Sequence, residues 1–319
     1  MEKKRTRRDF LRISAAGAVG AVVLSKSSFG RTPSAGPSGS RLAGVTDPKS
    51  FGIGLQLYSI REELAKDVPG TLKKVSDIGY KYLELADYAN GKFYGYEPAA
   101  FKKLTDSLGL VIISSHTQVE GAGITLDNAR KMAEDHAKIG AKYCIQPWVV
   151  EEMRKPVSTW ERMADNWNKI GKIMKEHGLQ FGYHNHNFEF ATIEGKVPYY
   201  DILLKNLDKD LVTMEIDLFW ATKAGQDPVE MFKKYPGRFQ LFHLKDMYTK
   251  QSPFFDVIKD DIAPVGAGVI DFKKILEYKD LAGMKYKIVE QDQGKGGVPT
   301  SIQDITTSMK NLTTKILVK

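Results

Sequence analysis

From Phe51 onward, short apolar runs alternate with longer stretches in which apolar residues recur every three or four positions. Such runs read as buried strands, and the stretches between them as amphipathic helices. Eight strands are predicted near 52–58, 80–85, 110–115, 142–146, 180–185, 212–217, 239–244 and 286–290. Helices are predicted near 68–78, 97–108, 125–139, 159–177, 198–207, 228–235, 271–278 and 301–315. The joints Ile78-Gly79-Tyr80, Leu108-Gly109-Leu110, Ile139-Gly140-Ala141 and His177-Gly178-Leu179 place glycine where a helix ends in the left-handed conformation. Ser158-Thr159-Trp160-Glu161 has the form of a capping box, and Asp227-Pro228-Val229-Glu230 that of a capped helix start with proline at its first position.

The polar residues that end the strands are Glu84, His116, Gln146, His184, Asp217, His243 and Glu290, spaced by 32, 30, 38, 33, 26 and 47 residues. Units of that length fit a strand plus its returning helix. Eight of them predict an α/β protein with a (β/α)8 TIM barrel over residues 51–319. The competing doubly wound open sheet calls for a glycine-rich phosphate turn after its first strand. Here that strand runs Gly54-Leu55-Gln56-Leu57-Tyr58-Ser59, without one. The long interval before Glu290 holds Pro253-Phe254-Phe255 and Val265-Gly266-Ala267-Gly268, and reads as an extended loop after the seventh strand.

In a barrel of this kind the C-terminal strand ends surround one cavity. Four successive strands in the second half end in metal-ligand or acid/base side chains, so His184, Asp217, His243 and Glu290 are expected to meet as the ligands of a divalent cation. His186 alternates onto the side of His184 and Lys245 onto that of His243; His184, His186, Glu290 and Lys245 are the expected catalytic groups. Glu215 shares the side of Asp217 but lies further from the rim, and Asp292 follows Glu290 on its side. Glu189 is expected to point away from the two histidines, as a secondary candidate. Gln56, Glu84, His116, Gln146 and Trp220 are expected to contact substrate, with Tyr58 and Trp148 as further hydrogen-bonding or stacking partners. For a single one of these residues the alternative is a structural role: a satisfied buried histidine, a helix-capping aspartate or a Lys245–Asp246 surface ion pair.

Charge and the N-terminus add a location. The chain carries +8, but residues 1–30 hold seven Lys/Arg against two Asp/Glu, which leaves +3 for the rest. That remainder is too small and scattered for a nucleic-acid surface. Arg7-Arg8-Asp9-Phe10-Leu11 ahead of the apolar run Ile13–Leu24 resembles a twin-arginine signal peptide over residues 1–30. The run is about 12 residues, short of the roughly 20 needed to cross a bilayer. Residues 31–50, rich in Gly, Ser and Pro, are read as a flexible leader. The expectation is export by the twin-arginine machinery to the periplasm, with no transmembrane segment in the mature chain. Cys144 is the single cysteine, which excludes an intrachain disulfide and a thiolate metal cluster.

The chain also resembles the sugar phosphate isomerase/epimerase family of the xylose-isomerase-like barrels, over about residues 52–312. The resemblance is carried by Gly54-Leu55-Gln56-Leu57-Tyr58-Ser59, Gly79-Tyr80-Lys81-Tyr82-Leu83-Glu84-Leu85, Glu215-Ile216-Asp217, His243-Leu244-Lys245-Asp246, Gly266-Ala267-Gly268-Val269-Ile270-Asp271 and Val289-Glu290. It implies a divalent metal held by Glu, Asp, His and Glu from strands five to eight, of which Asp217, His243 and Glu290 carry over. Where many members read Glu-Asn-His, this chain reads His184-Asn185-His186. It implies proton abstraction next to a carbohydrate carbonyl, with Mn2+, Zn2+ or Co2+ favoured by the mixed donor set. Export favours a non-phosphorylated sugar. Two further readings stand beside it, a lyase or hydratase acting on a 3-keto-glycoside and a non-catalytic carbohydrate-binding barrel. DNA repair endonucleases share the fold of this superfamily, but an exported chain would not meet their substrate.

Overall fold

The alternation of apolar and polar positions in each short run sets the architecture. The computed structural model describes residues 52–117, 123–193, 197–249, 253–255 and 261–318, all within the unit Asp47–Lys319. The export signal and leader predicted for residues 1–50 lie outside the described residues. Eight parallel strands, labelled β1 Ile53–Gln56, β2 Tyr82–Leu85, β3 Val111–Ser115, β4 Tyr143–Gln146, β5 Gln180–His184, β6 Val212–Asp217, β7 Phe239–Leu244 and β8 Tyr286–Val289, pair in the order β3-β2-β1-β8-β7-β6-β5-β4. The two outermost strands meet: His116 bridges Ile145 in parallel, and Lys142 N donates to Ile113 O at 2.8 Å. The eight strands thus form a nearly closed barrel with helices between them, a (β/α)8 TIM barrel.

The strands are buried on both sides, and most of them carry an apolar face against the helices. The inward set Ile113, Tyr143, Ile145, Leu241 and Ile288 fills the lower barrel, with Tyr82 and Tyr286 packed against it. The outward set, including Leu55, Leu83, Phe181, Met214, Phe242 and Val289, joins the surrounding helices in a second, larger core. Gly182 on β5 leaves room for this packing, since a Cβ there would lie 2.5 Å from Ile145 Cδ1 and displace it. Above the aliphatic layer the inward positions of β1, β2, β5, β6 and β7 are polar, and there the site is built.

Helix ends mostly follow the sequence signals. Gly79 adopts φ 111 after Val68–Ile78, and Asp227 Oδ1 accepts from Val229 N at 2.8 Å. The predicted box at Ser158 does not form. The helix Val157–Glu176 starts before it with Pro156 at the cap position, so Ser158 already lies inside the helix. A reciprocal box forms instead at Ser301 and Asp304. β1 is shorter than predicted, giving way to a 3-10 turn at Leu57–Ile60. An unpredicted helix, Leu218–Lys223, begins directly after β6. No helix among the described residues is long and apolar enough to cross a membrane.

The segment after β7 returns to the rim. Asp246–Met247 pairs antiparallel with Ile262–Ala263. The buried Asp246 carboxylate then accepts from the backbone N–H groups of Met247, Gly266, Gly268 and Ile270. Asp246 is therefore not the surface partner of Lys245; it clamps the glycine loop to the end of β7. On the opposite side Phe254 N donates to Lys223 O, and Asn187 Nδ2 donates to Phe254 O.

Candidate active site

Alternation turns His184 (β5), Glu215 and Asp217 (β6), His243 (β7) and Glu84 (β2) into the barrel, and His116, Lys245 and Glu290 follow one residue beyond their strands. His184, Asp217, His243 and Glu290 each offer one donor atom, all within 4.8 Å of one another. His243 Nδ1 lies 3.0 Å from Glu290 Oε2 and 4.0 Å from Asp217 Oδ2, and His184 Nε2 lies 3.9 Å from Asp217 Oδ2. Ligand atoms about 2.0–2.2 Å from a common ion stand roughly 3–4 Å apart. Two imidazoles and two carboxylates at these separations therefore fit a divalent cation. Asp217 divides its oxygens between two tasks: Oδ1 accepts from Trp220 N at 2.9 Å, capping the helix Leu218–Lys223, while Oδ2 faces the quartet. The capping and ligand readings of Asp217 are thus both compatible with its geometry.

Lys245 enters the same group. Its Nζ lies 2.6 Å from Glu290 Oε2, 3.0 Å from Asp217 Oδ2 and 3.4 Å from Asp292 Oδ1. Burial acts to lower its pKa, but the carboxylates of Asp217, Asp292 and Glu290 outweigh it and keep the ammonium charged. Burial likewise acts against the charge on Glu290, and Lys245 and His243 more than offset it, holding this carboxylate well below the usual range. Burial raises Asp217 to about 6 despite Lys245. His184 is held neutral, lowered to about 3 chiefly by burial. A neutral imidazole is the form that ligates a cation.

A second layer lies beneath. Glu84 Oε1 sits 2.6 Å from His243 Nε2 and accepts from Gln56 Nε2 at 2.8 Å. The other oxygen of Glu84 accepts from Ser114 Oγ at 2.5 Å. Glu215 Oε2 lies 2.5 Å from His116 Nε2, 3.2 Å from His184 Nδ1 and 3.3 Å from His243 Nε2. Burial raises Glu84, whereas on Glu215 it is outweighed by His243 and His116, which hold that carboxylate well down.

Several residues expected at the substrate stand away from the quartet or are fully buried. Gln146 is on the outward side of β4, because Tyr143 and Ile145 occupy the inner positions; its amide accepts from Ile124 N and donates to Trp148 O. Gln56 and Glu84 face inward but are fully buried against each other, and His116, the most exposed of the group, reaches Glu84 and Glu215. Trp220 is also fully buried, with its ring 5.3 Å from Lys245 Nζ, so it backs the site instead of presenting a stacking face. Trp148 meets the His186 ring edge-on at 4.6 Å. β5 ends at His184, so His186 leaves the strand; its ring still lies 5.1 Å from that of His184 and 5.3 Å from that of Trp220. Glu189 stands in the turn Phe188–Phe190, where it accepts from Tyr183 Oη and from His186 N at 2.9 Å, holding that turn.

Sequence reasoning undervalued Glu215 and missed Ser114. The Glu215 signal was present in the shared side of Glu215 and Asp217, but distance from the rim argued against it. Ser114 gave none, since β2 and β3 shift register between Leu83 and Glu84, bringing Ser114 opposite Glu84.

The inosose dehydratase of Clostridium perfringens (strain 13 / Type A) is 31% identical over 146 residues, 42% of this chain and 48% of the relative. That of Geobacillus kaustophilus (strain HTA426) is 26% identical over 270 residues, 71% of this chain and 83% of the relative. The chain spans about half the length of the first of these curated relatives. A crystal structure of a sugar phosphate isomerase/epimerase from Parabacteroides distasonis ATCC 8503 is 32% identical, with TM-score 0.70 over 84% of this chain and 99% of that one. The family model of the xylose isomerase-like TIM barrel matches residues 72–305, and the chain belongs to that family.

Proposed function

We propose that this chain is a metal-dependent enzyme that removes a proton from the carbon next to a carbohydrate carbonyl and returns it, an isomerase or epimerase of a non-phosphorylated sugar. The observation that carries the reading is the convergence of His184, Asp217, His243 and Glu290 on one point. These four residues would hold the cation. A bound divalent ion polarises carbonyl and hydroxyl oxygens and lowers the cost of the developing enolate. His186, beside the quartet but outside it, takes the proton from carbon, with Glu290 as the second acid/base group. Lys245 offers an ammonium to the developing oxyanion. Mn2+, Zn2+ or Co2+ suits the mixed nitrogen and oxygen donors.

A second reading is elimination of water or of an aglycone from a keto sugar, including a 3-keto-glycoside. Two observations support it: the inosose dehydratase relatives, and an imidazole at His184 where the resemblance implies a carboxylate. Proton NMR of candidate keto sugars in D2O separates the two. Exchange at one carbon with an intact skeleton supports the first reading, loss of water or aglycone supports the second, and saturable binding without either supports a carbohydrate-binding barrel. We further propose export through residues 1–30. Replacing Arg7 and Arg8 with lysines should retain the protein in the cytoplasmic fraction, and unchanged fractionation contradicts export by this route.

A further inference from the structure

His184 and His243 each turn both ring nitrogens toward carboxylates. On the upper side, His184 Nε2 faces Asp217 Oδ2 at 3.9 Å and His243 Nδ1 faces Glu290 Oε2 at 3.0 Å. On the lower side, His184 Nδ1 lies 3.2 Å from Glu215 Oε2, and His243 Nε2 lies 2.6 Å from Glu84 Oε1. An imidazole that ligates through one nitrogen carries its proton on the other, and that proton needs an acceptor. The two histidines therefore present opposite nitrogens to the quartet, Nε2 from His184 and Nδ1 from His243.

The lower residues His116, His184, Glu215 and His243 also bring donor atoms within 4.8 Å of one another, but at tighter spacings than the quartet. Glu215 Oε2 already occupies the centre of its histidines, at 2.5, 3.2 and 3.3 Å from His116 Nε2, His184 Nδ1 and His243 Nε2. The shortest separations, 2.5 Å for His116–Glu215 and 2.6 Å for His243–Glu84, are hydrogen-bond lengths. They are shorter than the roughly 3 Å between neighbouring ligand atoms on one ion.

We propose that Glu215 is a positioning residue for the cation. It fixes His184 as the Nδ1–H tautomer and supplies, one bond beyond the ligands, a negative charge that the neutral imidazole lacks. The inference rests on reading the quartet as a divalent-cation site. Glu215 is fully buried; its Oε2 is shared by His184 Nδ1, His116 Nε2 and His243 Nε2, and its Oε1 has no hydrogen-bond partner among the described residues. The arrangement has a sign that a merely structural role lacks. With a carboxylate at position 184, Glu215 would face a like charge and oppose the site it now supports.

The test is a double-mutant cycle in the full chain, reading Zn2+ affinity by competition with a chromogenic chelator and folding by far-UV circular dichroism. Glu215→Gln should weaken Zn2+ binding about 10–100-fold in the wild-type background. In a His184→Glu background the same substitution should leave binding unchanged or strengthen it. Equal losses in both backgrounds overturn the proposal while leaving the cation site standing. A folded wild type that binds no Zn2+ overturns the site itself. If His184→Glu does not fold, nitrogen-15 NMR of histidine-labelled, Zn2+-loaded wild type decides: His184 protonated on Nδ1 supports the proposal, and protonation on Nε2 overturns it.

Discussion

Lys245 shows how residues in the site depend on one another. It is the ammonium placed between Asp217 and Glu290, and all three are nearly or fully removed from solvent. Removing one partner from a buried charge group leaves the rest uncompensated, at a cost of about 3–5 kcal/mol. Lys245→Met should therefore lower the melting temperature sharply, and saturating Zn2+ or Mn2+ should recover more of it than the same ion adds to wild type. Equal metal-induced shifts would argue against a cation sharing these carboxylates. His136 illustrates a buried histidine without chemistry. Its Nδ1 donates to Met132 O at 2.7 Å, so Nε2 accepts from Thr117 Oγ1 at 2.8 Å, and burial lowers its pKa from 6.5 to about 4. A depressed pKa means that the unfolded chain takes up the proton first as the solution is acidified. Stability from neutral His136 is present above about pH 6.5 and is lost as pH falls toward 4. Denaturation against pH should show His136→Gln losing this part of the acid sensitivity, up to about 3 kcal/mol.

At the scale of elements, the strand ends were legible because a period of two decides which residues share a side. That rule brought Asp217, His243 and Glu290 together from segments far apart in sequence, and it fails where a strand stops. β5 ends before His186, so the place of that ring did not follow from counting alone. Register shifts were not legible either, as Ser114 opposite Glu84 shows. The role of Asp246 depends on a loop some twenty residues away, which neither local propensity nor periodicity encodes. Its four backbone donors predict that Asp246→Ala loosens residues 265–270. Hydrogen exchange should show these amides losing protection, with stability down by about 2 kcal/mol. Unchanged protection would mean that the antiparallel pairing of Asp246–Met247 with Ile262–Ala263 holds the loop without the carboxylate.

For the whole molecule, closure of the barrel makes the chemistry possible. Alternation of strand and helix was enough to predict eight units, because each unit buries a strand on both faces and must return through a helix. The division of the interior into an aliphatic lower layer and a polar upper layer was less visible, since it depends on stagger between strands rather than on any one strand. Gly182 is part of that stagger, and Gly182→Ala should cost about 1–3 kcal/mol by forcing Ile145 aside. The most direct test of the account is metal stoichiometry on the purified chain, wild type against Asp217→Asn and His243→Ala, after loading with Mn2+, Zn2+ or Co2+ and removal of excess. One tightly held divalent ion per wild-type chain is expected, and loss of that ion in folded variants. A folded wild type holding none, or variants retaining the full complement, would contradict it.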